Sequence, residues 1–301
     1  MDPSGRDLPD LPLAAWEASK DTLHLCCQVV GKLQLAASIE QNHWWNVTLR
    51  VGPRGLETQR LHDRGRRYGL AFDFVDHRLE LRTEDGVADG FALRDGVSVA
   101  AFFAEVTTLL DRAGIATRIA HPKPFGVPMT TPFAEDTEHA SYDAARVHDY
   151  WRALLWIDGV LAELASRFTG KQSPVQLFWH SFDLALNRFS GRTAPGADGM
   201  DPVSREAYSH EVISHGWWAG SADTPAPAFY SYAAPEPAGL AGDPLAAGGQ
   251  WVDTGNGHLA LLMYDDVRAA PDPRAAALDF FQSAFDAAAR RADWPAGLSR
   301  V

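Results

Sequence analysis

Two amphipathic patterns alternate along this chain of 301 residues, and their order restricts the fold more than any other feature. Apolar residues spaced three and four apart, each run preceded by a capping residue, predict helices at residues 98–113, 143–168 and 273–291. The expected caps are Ser98, Ser141 or Asp143, and Asp272. Residues 13–37 fit both a helix and a strand, so the period leaves that segment undecided.

Strands are predicted between these helices, where apolar and polar side chains alternate and turn residues flank each run. They cover residues 45–51, 56–61, 68–75, 78–83, 174–180, 182–189, 211–218, 229–233 and 259–264. Because helix, strands and helix follow one another twice, we expect an α+β fold of two helix–antiparallel-sheet–helix halves. A weak echo of Gly31-Lys32 in Gly170-Lys171 raises internal duplication as a hypothesis.

The two halves are expected to be joined by a proline-rich segment. The N-terminal α+β half covers residues 1–120, a crossover covers 121–142, and the C-terminal α+β half, which carries the candidate site, covers 143–301. The four prolines of the crossover disfavour a helix or a central strand. This segment should therefore run extended across the surface of both halves.

The charge and the cysteines restrict the partners and the location. A formal net charge of −12 with no offsetting basic stripe argues against nucleic acid and against an anionic membrane as partner. No apolar run approaches the ~20 residues that cross a bilayer, and the N-terminus lacks the pattern of an export signal. Cys26 and Cys27 are adjacent and should be reduced thiols, which favours the cytoplasm. The sequence indicates neither a cofactor nor an oligomeric state.

The segment from Phe168 to Arg192 mixes aromatic residues with charged ones in an otherwise apolar stretch. Burying a charge costs several kcal/mol unless a partner is supplied, so a segment of this kind lines a polar pocket more often than a plain core. Asp183 lies in the middle of an aromatic strand of this segment, and a buried carboxylate is a candidate acid or base. The proposed catalytic residues are Asp183, His210, Glu211 and His139.

A structural role is the alternative for these carboxylates. Asp183 could pair with Arg188 or Arg192 and stabilise the fold without taking part in a reaction. Asp158, on the apolar stripe of helix 143–168, could bond a tyrosine or a backbone group. Nucleophilic catalysis has little support, because no G-x-S-x-G motif occurs and Cys26 and Cys27 fit a packed amphipathic segment.

The histidines of this chain do not have the spacing of a known metal-binding motif. His210 and His215 are five residues apart, which places them on different faces of a helix or a strand. A looser site stays open, with His210 or Glu211 joined by a side chain from another segment. We assign no metal ligand.

The cations of the same segment suggest an anionic ligand. Arginine forks and lysines suit carboxylate or phosphate groups, although they could equally neutralise nearby acidic residues. Aromatic groups at residues 43–45, 217–218 and 229–232 could wall a pocket, although aromatic rings more often fill a core. The proposed substrate-binding residues are Lys171, Ser173, Arg188, Arg192, Trp179 and Trp217.

Long motifs in this chain resemble a known family. They include F-T-G-K-Q-S-P-V-Q-L-F-W at 168–179, F-D-L-A-L-N-R-F-S-G-R at 182–192 and H-E-V-I-S-H-G-W-W at 210–218. The chain resembles, over nearly its whole length, a bacterial family classed only as a domain of unknown function. The resemblance implies no activity. It implies a glycine at the position of His180, which favours the other candidates over His180 as a catalytic group.

These features together predict an enzyme that acts on a small anionic, partly apolar metabolite by acid–base chemistry, with assistance by a metal ion left open. We expect its polar and aromatic pocket between the strands of the second half and the crossover. The alternative is a non-catalytic protein that binds such a ligand. A purely structural or interaction protein would instead need an exposed apolar patch.

Overall fold

The computed structural model describes residues 7–195, 199–221 and 224–298. Six α-helices occur in this part of the chain. They are α1 Glu17–Ala37, α2 Val99–Arg112, α3 Ala144–Ser166, α4 Pro202–Ala207, α5 Tyr264–Ala269 and α6 Pro273–Arg291. The predicted caps Ser98, Asp143 and Asp272 accept hydrogen bonds from the first-turn N–H groups of α2, α3 and α6.

The first half contains a six-stranded antiparallel sheet. Its strands are β1 Arg50–Gly52, β2 Gly55–Glu57, β3 Leu61–Asp63, β4 Arg66–Asp73, β5 Arg78–Thr83 and β6 Ala88–Ala92. The order is β1-β2-β4-β5-β6, and β3 also pairs with β4. This sheet lies between α1 and α2 in the chain, so the first half has the predicted order.

The second half contains another six-stranded antiparallel sheet. Its strands are β7 Gln176–Phe178, β8 Asp183–Thr193, β9 His210–Trp218, β10 Ala228–Ala234, β11 Gln250–Asp253 and β12 His258–Met263. The order is β11-β12-β10-β9-β8-β7. Helices beside two antiparallel sheets confirm the α+β class, whereas the internal duplication stays a hypothesis.

A backbone bridge links the two sheets, and the halves share a core. Leu49 and Leu177 exchange backbone hydrogen bonds of 2.9 and 2.8 Å. One cluster of buried apolar side chains runs from α1 and the first sheet through α3 to the second sheet and α6. Each half is therefore packed against the other along its apolar surface. Within the described residues, every helix is too short or too polar to traverse a lipid bilayer.

Residues 13–37, whose apolar period fitted both a helix and a strand, are helical over most of their length. Helix α1 follows a 3-10 turn at Leu13–Ala15, and most of its length is buried. A helix that is buried on several sides carries apolar residues around its circumference, so the 3.6-residue period is blurred.

The strand predicted at 45–51 is wrong over most of its length. Residues Asn42–Val47 form a 3-10 turn in which His43 and Trp44 have φ of +57° and +60°. Both residues lie just before the predicted strand, and the 3-10 turn continues through residues 45–47, so this part of the chain does not pair in a sheet. The turn is held from outside, because the backbone N–H of His43 donates to Glu206 Oε1 at 3.0 Å and His43 Nδ1 donates to the Glu206 carbonyl at 3.1 Å.

Smaller differences concern short elements. The predicted strand 56–61 is divided into β2 and β3, because the N–H of Gln59 donates to Gln34 of α1 at 2.9 Å instead of to a strand. The predicted strand 174–180 is reduced to β7, since the chain turns after Phe178. Strands β6 and β11 and helices α4 and α5 were not predicted. Elements this short depend on tertiary contacts more than on their own pattern.

The crossover between the halves is irregular, as its prolines predict. It contains a 3-10 turn at Phe133–Glu135, whose Phe133 side chain is fully buried. Gln28 of α1 holds the crossover to the molecule, because its side-chain amide accepts from the N–H of Phe125 at 2.8 Å and donates to the carbonyl of the same residue at 2.9 Å. Residues 125–129 therefore have a fixed position beside α1.

Candidate functional site

A cleft of about 940 Å³ lies on one face of the second sheet. The other face packs against α3 and α6. Residues 125–129 of the crossover form part of its wall, so a cavity is present between the second-half strands and the crossover, where the sequence predicted one. Helix α1, residues 43–47 and helix α4 form the rest of the wall, and strands β7–β10 form the floor.

Every second side chain of a strand faces the same side of the sheet, and the side chains on one side form the cleft floor. On β8 the side chains of Asp183, Ala185, Asn187 and Phe189 face the cleft. Their neighbours Leu184, Leu186 and Arg188 are buried on the opposite face. From Asp183 to Phe189 the strand rises roughly 20 Å, so the floor is long enough for an elongated small molecule. The neighbouring strands add Val212, Ser214, Trp218, Tyr230 and Tyr232.

The tight turn between β7 and β8 carries Asp183 to the cleft. The N–H of Phe182 donates to the carbonyl of Phe178 at 2.7 Å, and Phe182 has a φ of +57°. Its ring is buried between His24 and Tyr150, with ring centroids 4.8 and 5.2 Å away. Burial of this ring offsets the cost of the left-handed backbone. Residues 179–181 and Asp183 consequently line the cleft.

His24 of α1 supports the same turn. Its Nε2 donates to the carbonyl oxygens of Trp179 and His180 at 2.9 and 3.2 Å. Burial, together with the nearby charge of Lys20, lowers the pKa of His24 to about 4. The imidazole is therefore neutral at physiological pH, and it positions the turn without contributing charge.

Asp183 is held by two hydroxyl groups. The Ser181 hydroxyl donates to Oδ1 and the Tyr230 hydroxyl donates to Oδ2. Burial, and then the charge of Asp183, raise the pKa of Tyr230 well above its ordinary value, so Tyr230 keeps its proton and acts as a donor. Burial lowers the pKa of His180, and the charge of Asp183 opposes that effect. The described residues include no arginine or lysine paired with Asp183.

Two glycines allow aromatic rings to lie flat against the backbone in the walls. A Cβ at Gly31 of α1 would lie 2.3 Å from the indole of Trp179, and a Cβ at Gly216 of β9 would lie 2.5 Å from the ring of Tyr230. Both distances are far below van der Waals contact. Gly31 therefore sets the position of one wall, and Gly216 sets the position of the tyrosine that contacts Asp183.

Three lysines lie at or beside the cleft. The ammonium group of Lys20 is 2.9 Å from Asp21 Oδ1. Lys171 donates to Nε2 of His43 at 2.8 Å and lies over the rings of Trp45 and Phe189. Burial lowers the pKa of Lys171 and of His43, and the charge of Lys171 lowers that of His43 further. The third is Lys32, which lies between the rings of Phe125 and Trp179.

Two of the predicted site residues line the cleft, and a third lies at its edge. Asp183 and Trp179 belong to the lining, and Lys171 contacts the lining residues His43, Trp45 and Phe189. Aromatic groups that the sequence proposed as walls also lie there, at residues 43–45, Trp218, Tyr230 and Tyr232.

The predicted arginines lie elsewhere. Arg188 is 1% exposed on the opposite face of the sheet, where it donates to the carbonyl of Leu164 and lies over the rings of Phe168 and Phe285. Burial lowers the pKa of Arg188 to about 10. Arg192 forms an ion pair of 2.8 Å with Glu211 and donates to carbonyls beyond α6. Neither arginine faces the cleft.

The remaining predicted residues are separated from Asp183. His139 pairs with the buried Asp136 at the start of α2, and Glu211 lines a smaller depression beside Trp294. His210 contacts Ser209 and the edge of His43. The Ser173 hydroxyl bonds backbone groups, and Trp217 is buried against Tyr150 and Tyr264. Asp158 does not line the cleft, and burial raises its pKa to about 6.

A metal site has no support in the described part of the chain. Within residues 7–195, 199–221 and 224–298, no three His, Cys, Asp or Glu side chains are grouped so that they could hold an ion. The looser site considered from the sequence is therefore not formed by these residues.

Some cleft residues were not predicted as site residues. His24, Lys32 and Tyr230 contact the turn or Asp183 from positions 47 or more residues away in sequence. From the sequence, Tyr230 was identified only as a member of the aromatic group at residues 229–232. No local pattern connects these residues with Asp183.

An α+β protein with an aromatic cleft, whose floor carries a carboxylate held by two hydroxyl groups, is the class that this geometry defines. Residues 8–300 match the model of a family of unknown function, DUF5996, and the chain belongs to that family. Neither the search of curated proteins nor the search of solved structures found a match.

Proposed function

We propose that this protein is an enzyme that binds a small, partly apolar anionic metabolite in the cleft and acts on it by acid–base chemistry at Asp183. The observation that carries the proposal is the placement of Asp183 on the cleft floor. Its carboxylate is bonded by the hydroxyls of Ser181 and Tyr230 and by no cation among the described residues. A carboxylate oriented by neutral donors is free to take a proton from a bound molecule and to return it.

The walls support a ligand with an apolar and flat body. The lining residues with aromatic rings include Trp44, Trp45, Phe125, Phe178, Trp179 and Trp218. Rings in a concave site remove apolar surface from water and stack on planar groups. The volume of about 940 Å³ lies in the range typical of small-molecule sites.

Binding without chemistry is the second candidate. The acid–base partners that the sequence proposed, His139, His210 and Glu211, lie outside the cleft lining, which leaves Asp183 with only His180 as a titratable neighbour in the same turn. A carboxylate held by two hydroxyls among many aromatic rings also suits a protein that only sequesters or senses its ligand.

A location in a reducing compartment, as in the bacterial cytoplasm, accompanies this proposal. Cys26 and Cys27 are free and buried in α1, and burial raises the pKa of both thiols. The net charge of −12 favours a small ligand over nucleic acid or an anionic membrane as the partner.

The test combines ligand screening with a substitution at Asp183. Thermal-shift screening against aromatic and aliphatic carboxylates and phosphates should reveal a stabilising compound, and product analysis then shows whether it is turned over. Asp183→Asn should abolish turnover while binding and melting temperature change little. Asp253→Asn, which makes the same chemical change on the exposed strand β11, is the matched control and should retain full turnover.

The outcomes separate the two candidates. A compound that binds and is never converted supports the binding protein. Full turnover by Asp183→Asn would contradict the assignment of Asp183 as the acid–base group. If Asp183→Asn lowers the melting temperature strongly, the carboxylate has a structural role instead.

A further inference from the structure

Lys32 differs from the other cleft lysines because its charge has no acidic or hydrogen-bonding partner among the described residues. Its side chain is half-buried in the cleft wall, and the ammonium nitrogen lies 5.9 Å from the ring centroids of both Phe125 and Trp179. Its ammonium group forms no ion pair and no hydrogen bond with any of the residues in the described ranges. By contrast, Lys20 is paired with Asp21 and Lys171 donates to His43.

Partial burial disfavours the charged form of Lys32. Burial lowers the pKa of Lys32, and the neighbouring charge of Lys123 on the crossover lowers it further. The two ring faces compensate the lost hydration only in part, since they lie at the outer limit of cation–π contact. An anionic group beside Lys32 would relieve both costs.

The surroundings of Lys32 are fixed before any ligand binds. Trp179 is pressed against Gly31, the residue before Lys32, and its backbone carbonyl accepts from His24. Phe125 is held to α1 by the side-chain amide of Gln28. The Trp179 ring and the backbone of Phe125 are therefore held in position beside one positive charge, and such preorganisation lowers the entropic cost of binding.

We propose that Lys32 is the specificity-determining cation of the cleft, where it binds the anionic group of a ligand whose flat apolar body lies along the aromatic walls. This assignment replaces Arg188 and Arg192, which face away from the cleft, and it rests on the proposed role of the cleft as the ligand site. The ligand class is an aromatic or otherwise planar apolar molecule with one carboxylate, sulfonate or phosphate-like group.

Two fluorescent dyes of nearly the same shape test this assignment. The anionic dye 8-anilinonaphthalene-1-sulfonate carries a sulfonate, and N-phenyl-1-naphthylamine is its neutral counterpart. Titration of the full chain gives the Kd of each dye. Lys32→Gln should weaken the anionic dye about tenfold or more and change the neutral dye less than twofold, because a bond to a charged group is lost only with the sulfonate.

Three further variants complete the experiment. Lys32→Arg keeps the charge and should retain affinity for the anionic dye within a few-fold. Arg82→Gln removes one positive charge from an exposed position on β5, outside the cleft lining, so it is the matched control and should change either dye less than twofold. Asn187→Trp fills the floor and should abolish binding of both dyes. Melting curves confirm that the variants are folded.

The possible failures are distinguishable. If neither dye binds the wild type, or if binding persists in Asn187→Trp, the cleft is not the ligand site and the proposed function fails with this inference. If both dyes bind in the cleft and Lys32→Gln weakens them equally or not at all, Lys32 is not the anion-binding residue and the proposed function is unaffected.

Discussion

Replacing Asp158 by asparagine should stabilise this protein at neutral pH and leave its stability nearly unchanged near pH 4. Asp158 lies on α3, the helix that packs on the face of the second sheet opposite to the cleft. Burial alone raises the pKa of its carboxyl from 3.8 to about 6. The substitution keeps the size and the shape of the side chain and removes only its ability to ionise.

The magnitude follows from the two pKa values. Their difference corresponds to about 3 kcal/mol, since one pKa unit is worth 1.36 kcal/mol. The folded protein binds the proton more tightly than the unfolded chain, so unfolding releases a proton between about pH 4 and pH 6. The free energy of unfolding of the wild type therefore falls as the pH rises through this window. Asp158→Asn avoids this loss and should exceed the wild type by up to about 3 kcal/mol at pH 8.

Urea denaturation followed by tryptophan fluorescence at pH 4 to 8 measures this difference. The matched control is Asp279→Asn on the exposed side of α6, which should change the free energy of unfolding by less than about 0.5 kcal/mol at every pH. A gain that is the same at pH 4 and pH 8 would refute the argument from desolvation. A loss of stability at pH 8 would show that the ionised carboxylate has a partner.

Two further predictions concern the walls of the cleft. Gly216→Ala places a Cβ 2.5 Å from the Tyr230 ring, so it should cost about 1–3 kcal/mol of unfolding free energy and weaken ligand binding at Asp183. Gly242→Ala, which meets no atom within 4 Å, is the control in the same urea assay, and equal effects of the two variants would contradict the packing argument. His24→Gln should flatten the pH dependence of stability, because the folded-state pKa of His24 is about 4 against an ordinary value of 6.5. The unfolded chain binds the extra proton, so the wild type should lose up to about 3 kcal/mol relative to the variant as the pH falls from 6.5 to 4, and parallel pH profiles would disprove this.

The cleft is formed by groups from segments that are far apart in sequence and that meet only in the folded molecule. The hydroxyl that orients Asp183 belongs to Tyr230, two strands away in the sheet, and the imidazole that supports its turn comes from α1 in the other half of the chain. The charged segment 168–192 does contain the turn that carries Asp183 and Trp179. The same segment also contains Arg188, whose side chain faces the opposite side of the same strand.

The sequence by itself determined the features that depend on near neighbours. Helices α2, α3 and α6 and their caps follow from a 3.6-residue period and one preceding polar side chain. Strands β8, β9, β10 and β12 of the second sheet follow from alternation. The same alternation places Asp183 and Arg188 on opposite faces of β8. These elements can be predicted from the sequence because their apolar periodicity and their capping hydrogen bonds involve residues only a few positions apart.

The tertiary structure decided which face of the second sheet borders the cleft and which face packs against α3 and α6. It placed α1 over the second sheet and turned residues 42–47 away from a strand through their bonds to Glu206. It also brought Lys32 beside Trp179 with no acidic partner in the described part of the chain. It also surrounded Arg188 with aromatic rings and a helix carbonyl in place of a ligand. Whether a charge faces a ligand or a neighbour depends on contacts between segments far apart in the chain, and no local pattern encodes those contacts.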